Sequence, residues 1–208
     1  MASNDYNFSV YDNVLNEQQI ERWEKFYTTE ADFSWNKIDS KREGKYFLQN
    51  TGWTIKRTVE MFNTDEWIET YIKPVMPQVK MTNFHDAYVN ALIKGDDFAR
   101  HRDIDPDDVR DDQYYVSCIL YLNPYIEETA DCGTEMGDEV VPYKFNRLVV
   151  FDGRIMHKPL APLTDDIRLS FYTSFTNCFK VRFNEHTVAH RNPWHRNTII
   201  NQKFTGQE

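Results

Sequence analysis

The chain has 208 residues, with 33 Asp or Glu against 24 Lys or Arg and a net charge of −9. That length suits one domain, with or without extensions, and buries a substantial core without staples. The acidic balance argues against the basic stripe that nucleic-acid binding requires, and no apolar run reaches the length of a membrane span.

Cys118, Cys132 and Cys178 are odd in number and form no C-x-x-C pair. A disulfide scaffold or structural zinc site is therefore not expected, and a reducing compartment fits. The opening MASNDYNFSV lacks the basic start and apolar stretch of a signal peptide. The simplest expectation is a cytoplasmic protein with no nucleic-acid or membrane partner.

The first eighty-odd residues read as mostly helical. In LNEQQIERWEKFYTT, Leu15, Gln19, Ile20, Trp23, Phe26 and Tyr27 fall near one face, with Asn13 or Asn16 as the cap. The stretch FSWNKIDSKREGKYFLQNTGW reads as loop and short strand. TDEWIETYIKPVMPQVK reads as a second helix, with Thr64 as N-cap, acids in the first turn, and Pro74 and Pro77 ending or kinking it.

From Phe84 the pattern changes. DAYVNALIK, YYVSCILYLN, NRLVVFDG and RLSFYTSF are short runs rich in β-branched and aromatic residues, separated by turn residues. Strands without intervening helices predict a sandwich, barrel or jelly roll. The polar tail from Lys180 to Glu208 carries His186, His190 and His195. Their spacing is helix-like, but no glutamate of an H-E-x-x-H motif and no cysteine partner accompanies them, so a second metal site is not favoured.

The chemistry-bearing residues lie at strand ends. His101 and Asp103, one residue apart in FARHRD, decide nothing alone, since polar residues at strand ends are usually solvated. His157 follows the apolar strand of RLVVFDGRIMH and would complete a set of two histidines and one carboxylate. Such a set leaves three positions open on Fe(II), enough for a bidentate co-substrate and dioxygen. Arg168 stands eleven residues after His157, with Ser170 two further on the same strand face. A guanidinium facing inward from a β-run is expensive unless paired, and a ligand carboxylate would offset that cost, with Ser170 adding a hydroxyl.

In order and spacing these elements resemble the Fe(II)- and 2-oxoglutarate-dependent dioxygenases of the prolyl 4-hydroxylase-like branch, over roughly residues 84 to 176. The matching pieces are Asn90 with Gly95, His101 with Asp103, CILYLN, CGTEM in place of a glycine-rich turn, NRLVVFDGRIMH and RLS. Two departures are plain: Leu92 stands where the family has a tyrosine, and Cys132 where it has a glycine. The resemblance implies a mainly β fold with flanking helices: a double-stranded β-helix core of the jelly-roll or cupin kind, its major sheet buttressed by N-terminal helices. It implies one dioxygenase domain over 1–208, divided into a mostly helical part (1–83), the β-helix core (84–176) and a C-terminal extension (177–208).

By the same resemblance His101, Asp103 and His157 bind Fe(II), and Arg168, Ser170, Tyr121 and Asn90 hold 2-oxoglutarate. No acid, base or nucleophile beyond the metal centre is implied. Dioxygen is the second co-substrate and ascorbate the reductant. The activity implied is hydroxylation of an unactivated C–H bond in a peptidyl residue, amino acid or small metabolite, releasing succinate and CO2. Asp103 favours hydroxylation, because halogenating relatives replace this carboxylate with a small residue. The alternative is a catalytically silent jelly-roll binding or structural module with a vestigial pocket. An intact triad with its arginine counts against that, and against a cupin-type isomerase or hydrolase, which would not need Arg168.

DIDPDDVRDDQYY adds Asp105, Asp107, Asp108, Asp111 and Asp112 directly after Asp103, against a single Arg110. As a solvated loop the run keeps the chain soluble. At a pocket mouth it would favour a substrate carrying an amine or guanidinium.

Overall fold

Strand alternation divides the buried residues into two sets. In the computed structural model, which describes residues 8–37, 46–51 and 53–178, strand β5 (Tyr115–Tyr121) is buried at every position. Val116, Cys118 and Leu120 turn toward one cluster, and Ile119 and Tyr121 toward another, as a two-residue period requires. β8 (Arg147–Asp152) and β10 (Arg168–Thr176) split in the same way: Leu148, Val150, Leu169 and Phe171 join the first set, Val149, Phe151 and Tyr172 the second.

The first set meets helices. α1 (Glu17–Thr29) starts at a full capping box, in which Asn16 Oδ1 accepts from the Gln19 amide and the Gln19 side chain accepts from the Asn16 amide. Its Trp23 and Phe26 pack with Trp53 and with Phe62, the last residue of α2 (Ile55–Phe62). Phe62 stacks on Phe171 of the sheet at 4.2 Å between ring centroids. The helices thus buttress the major sheet through an aromatic layer.

That sheet has seven antiparallel strands in the order β1-β8-β5-β10-β4-β3-β2, with β1 (Phe8–Asp12), β2 (Ser34–Lys37), β3 (Tyr46–Asn50) and β4 (Phe84–Leu92). A three-stranded minor sheet, β7-β6-β9, is built from β6 (Thr129–Met136), β7 (Glu139–Tyr143) and β9 (His157–Pro159). The second cluster joins the two sheets: Ile119, Tyr121, Phe151 and Tyr172 from the major sheet meet Cys132, Met136, Val141 and Tyr143 from the minor one. The core is a double-stranded β-helix, and the space between its sheets holds the polar side chains described below.

Three readings change. The described residues of 1–83 hold three strands of the major sheet beside their helices, and β1, where no strand was expected, forms one edge by pairing with β8. A five-residue edge strand owes its state to that partner, which a local pattern does not reveal. Thr64 is not a cap but the first residue of α3 (Thr64–Trp67). Asn63 holds the N-cap position of α3 without a side-chain cap bond, in the left-handed region (φ 51°), while also closing α2, a conformation Asn tolerates better than Thr. The helical path then runs through a π turn, Ile68–Ile72, and stops just before Pro74. CGTEM is not a turn but part of β6. Gly133 sits so close to β7 that a Cβ would lie 2.2 Å from the Val141 carbonyl oxygen, so only glycine fits there. His186, His190 and His195 lie outside the described residues.

Candidate metal centre

Backbone pairing brings the three candidate ligands together. His101 and His157 form an isolated antiparallel bridge, each amide donating to the other's carbonyl at 2.9 and 2.8 Å. The Asp103 amide donates to Gly153 O at 2.9 Å, fixing the second arm against the turn after β8. The ligand atoms of His101, Asp103 and His157 all lie within 4.8 Å of one another. Asp103 Oδ1 is 3.8 Å from His101 Nε2 and 3.7 Å from His157 Nε2.

The protein also selects the tautomers. His101 Nδ1 lies 3.0 Å from Ala99 O, and His157 Nδ1 lies 3.0 Å from Ile155 O. A carbonyl only accepts, so each Nδ1 carries the proton and each Nε2 presents its lone pair beside Asp103. Burial holds the His157 imidazole below its ordinary pKa, outweighing the attraction of Asp103, which keeps the ring neutral as a ligand must be. The His157 side chain is 4 % exposed and that of His101 45 %, so the cluster opens to solvent on the His101 side.

Deeper between the sheets, Arg168 is 1 % exposed. Its Nε donates to Cys132 O at 2.7 Å, Nη1 to Ser170 Oγ at 3.1 Å and Nη2 to Thr134 Oγ1 at 2.9 Å. Its guanidinium carbon lies 5.2 Å from the Tyr121 ring centroid, and Tyr121 Oη is 2.8 Å from the same Thr134 hydroxyl. Every one of these partners is neutral. Among the described residues no carboxylate stands within ion-pair distance of Arg168, so none of them compensates its buried charge.

Strand register explains why the other expected residues gather here. Ser170 pairs with Asn90 on one side and with Tyr121 on the other, so Asn90, Ser170 and Tyr121 form one row across β4, β10 and β5. The row continues to Gln49 in β3, whose amide donates to Asn90 Oδ1 at 3.0 Å.

No family model and no curated protein matches the sequence. Solved structures do match the fold. A Pseudomonas putida prolyl-4-hydroxylase gives a TM-score of 0.56 at 17 % identity, over 82 % of this chain and 93 % of its own. HygX from Streptomyces hygroscopicus, with nickel, 2-oxoglutarate and hygromycin B bound, gives 0.62 at 12 % identity over 84 % of each chain. A Trichoplax adhaerens prolyl hydroxylase, in complex with a hypoxia-inducible-factor peptide fragment, gives 0.55 at 14 % identity over 91 % and 89 %. The fold is that of the prolyl-hydroxylase-like 2-oxoglutarate oxygenases.

Within this oxygenase fold three polar residues matter that sequence reasoning passed over. Thr134 joins Arg168 to Tyr121. Ser117 donates to Asp103 Oδ2, and Tyr172 reaches Ser117. Ser117 had one visible signal, a small hydroxyl inside the otherwise apolar VSCIL. The acidic run after Asp103 forms a 3₁₀ turn, Pro106–Asp108, and exposes Asp105, Asp107, Asp111 and Asp112. Among the described residues no helix is long and apolar enough to cross a membrane.

Proposed function

We propose that this chain is an Fe(II)- and 2-oxoglutarate-dependent dioxygenase that hydroxylates an unactivated C–H bond. The observation that carries the reading is a pairing of two sites in the oxygenase-like β-helix core. One is a histidine–aspartate–histidine cluster whose Nε2 and Oδ1 atoms converge. The other is a buried arginine whose partners among the described residues are all neutral.

His101, Asp103 and His157 would hold the ion from one face, leaving positions for the keto acid and dioxygen. Arg168 would take the distal carboxylate of 2-oxoglutarate, with Ser170, Thr134 and Tyr121 fixing the guanidinium, and Asn90 lining the same row. Iron with 2-oxoglutarate and dioxygen supplies the oxidising chemistry, releasing succinate and CO2, and ascorbate serves as reductant. The protein's share is to bind, orient and shield. The buried His157 and Arg168 exclude water on the inner side, while the exposed His101 side admits substrate.

The substrate class we favour is a peptidyl residue, amino acid or small metabolite carrying a cation. The acidic residues Asp105, Asp107, Asp111 and Asp112 beside a metal ligand support that charge preference. The whole chain acts as one dioxygenase domain, residues 1–83 and 177–208 serving the 84–176 core, and its proposed place is the cytoplasm. A silent binding module is disfavoured because the triad and its arginine are all intact. The test is a succinate-release screen of amino acids, peptides and cationic metabolites with Fe(II), ascorbate and dioxygen. Succinate that depends on both 2-oxoglutarate and an intact His157 supports the reading; its absence across the screen, with no 2-oxoglutarate binding, overturns it.

A further inference from the structure

Behind Asp103 stands a chain of buried hydroxyls. Ser117 Oγ bonds to Asp103 Oδ2. It also lies 3.2 Å from Tyr172 Oη, which is 3.4 Å from Tyr115 Oη, and Tyr115 donates to Ser174 Oγ at 3.3 Å. Ser117 and Ser174 are fully buried, and Tyr172 and Tyr115 are 7 % and 6 % exposed.

Counting protons sets the direction of these bonds. A carboxylate only accepts, so the single Ser117 proton goes to Asp103. The bond between Ser117 and Tyr172 must then be donated by Tyr172; Tyr115 spends its own proton on Ser174, so the contact between the two phenols is left without one. The Tyr172 and Ser117 protons therefore both point toward Asp103. Its two oxygens are thereby given separate tasks: Oδ2 is held by Ser117, while Oδ1 is the oxygen near both Nε2 atoms.

A carboxylate can ligate an ion through one oxygen or through both. Two-oxygen ligation by Asp103 would take a fourth position on the ion and leave two. A bidentate keto acid fills two, so none would remain for dioxygen. We propose that Ser117, oriented by Tyr172, is a positioning residue that restricts Asp103 to one-oxygen ligation and so keeps the third position open. The inference rests on the metal-centre reading above.

The test uses Mn(II) alone, without co-substrate or turnover, and reads the number of bound waters by proton relaxation of the solvent. Wild type should hold about three exchangeable waters, the count that a three-ligand face leaves. Ser117→Ala should lose about one of them, a fall of roughly a third in relaxivity per bound ion. Ser117→Thr, which keeps the hydroxyl, should restore it, and Tyr172→Phe should show a smaller fall. Ser117→Ala with wild-type relaxivity and Mn(II) affinity overturns this inference and leaves the metal centre standing. Wild type with no saturable Mn(II) site overturns both. If Ser117→Ala does not fold, Tyr172→Phe decides, and relaxivity equal to wild type refutes the positioning role.

Discussion

Replacing Arg168 with Lys keeps the charge and removes the planar fork. In the structure the guanidinium spends its donors on three fixed points, Cys132 O, Ser170 Oγ and Thr134 Oγ1, at 2.7 to 3.1 Å. A lysine ammonium is a single point and cannot reach those three acceptors while also gripping a carboxylate with two parallel bonds. The loss is about one charge-assisted hydrogen bond, roughly 1.5–3 kcal/mol, or a weakening of 2-oxoglutarate binding by about 10- to 150-fold. Calorimetric titration of Mn(II)-loaded protein with 2-oxoglutarate measures this directly. Mn(II) affinity itself should stay within about twofold, because Arg168 bonds to Cys132, Ser170 and Thr134 rather than to the triad. A 2-oxoglutarate affinity unchanged by the substitution would show that Arg168 is structural. A parallel loss of metal binding would show that the two sites are not separable as argued.

Asp12 of β1 makes a bidentate pair with Arg147 at 2.7 and 3.1 Å, and the Arg147 hydrogen bond is the main cause that lowers its pKa from 3.8 to about 2. Because the folded value is depressed, this stabilisation is present above pH 3.8 and is lost as pH falls through about 2. With Asp12 partly exposed, the 1.36 kcal/mol per unit is discounted to about 1–2 kcal/mol in all. Asp12→Asn should therefore cost that much in urea unfolding at pH 7 and clearly less at pH 3; equal costs at both would contradict the linkage. Phe62→Ala removes a fully buried ring packed on Phe171, Trp53 and Trp67, and should destabilise by about 3–5 kcal/mol in the same assay. Changing Asp107, Asp108, Asp111 and Asp112 to Asn should raise the KM of a cationic substrate several-fold at low salt and flatten its salt dependence, with 2-oxoglutarate binding unmoved. An unaltered KM would leave the acidic turn as solvated surface.

Legibility in the sequence followed how local each signal was. β4, β5, β8 and β10 carry dense β-branched and aromatic runs and were readable as strands. β6 mixes exposed and buried positions and contains Gly133, and β9 is three residues long, so neither has a run to read. β1 depends on its pairing with β8. The triad was visible because its order and spacing are distinctive, and Arg168 and Ser170 because they interrupt an apolar strand. Thr134 and Ser117 escaped because their meaning lies in their partners: Thr134 comes from the minor sheet to meet Arg168 of the major one, and Ser117 meets a carboxylate fourteen residues away. The cap of α3 was misplaced by one residue because Asn63 and Thr64 are both good caps, and only the left-handed turn closing α2 selects Asn63.

The central claim is that one divalent ion is held by His101, Asp103 and His157 and one 2-oxoglutarate by that ion and Arg168. Equilibrium titration of the metal-free protein with Mn(II), then with 2-oxoglutarate, tests it without any knowledge of the prime substrate. The account predicts one saturable Mn(II) site per chain that His157→Ala abolishes, and one 2-oxoglutarate that binds tightly only once that site is filled. A wild-type protein without a saturable site, or a His157→Ala variant that binds Mn(II) as wild type does, would contradict it.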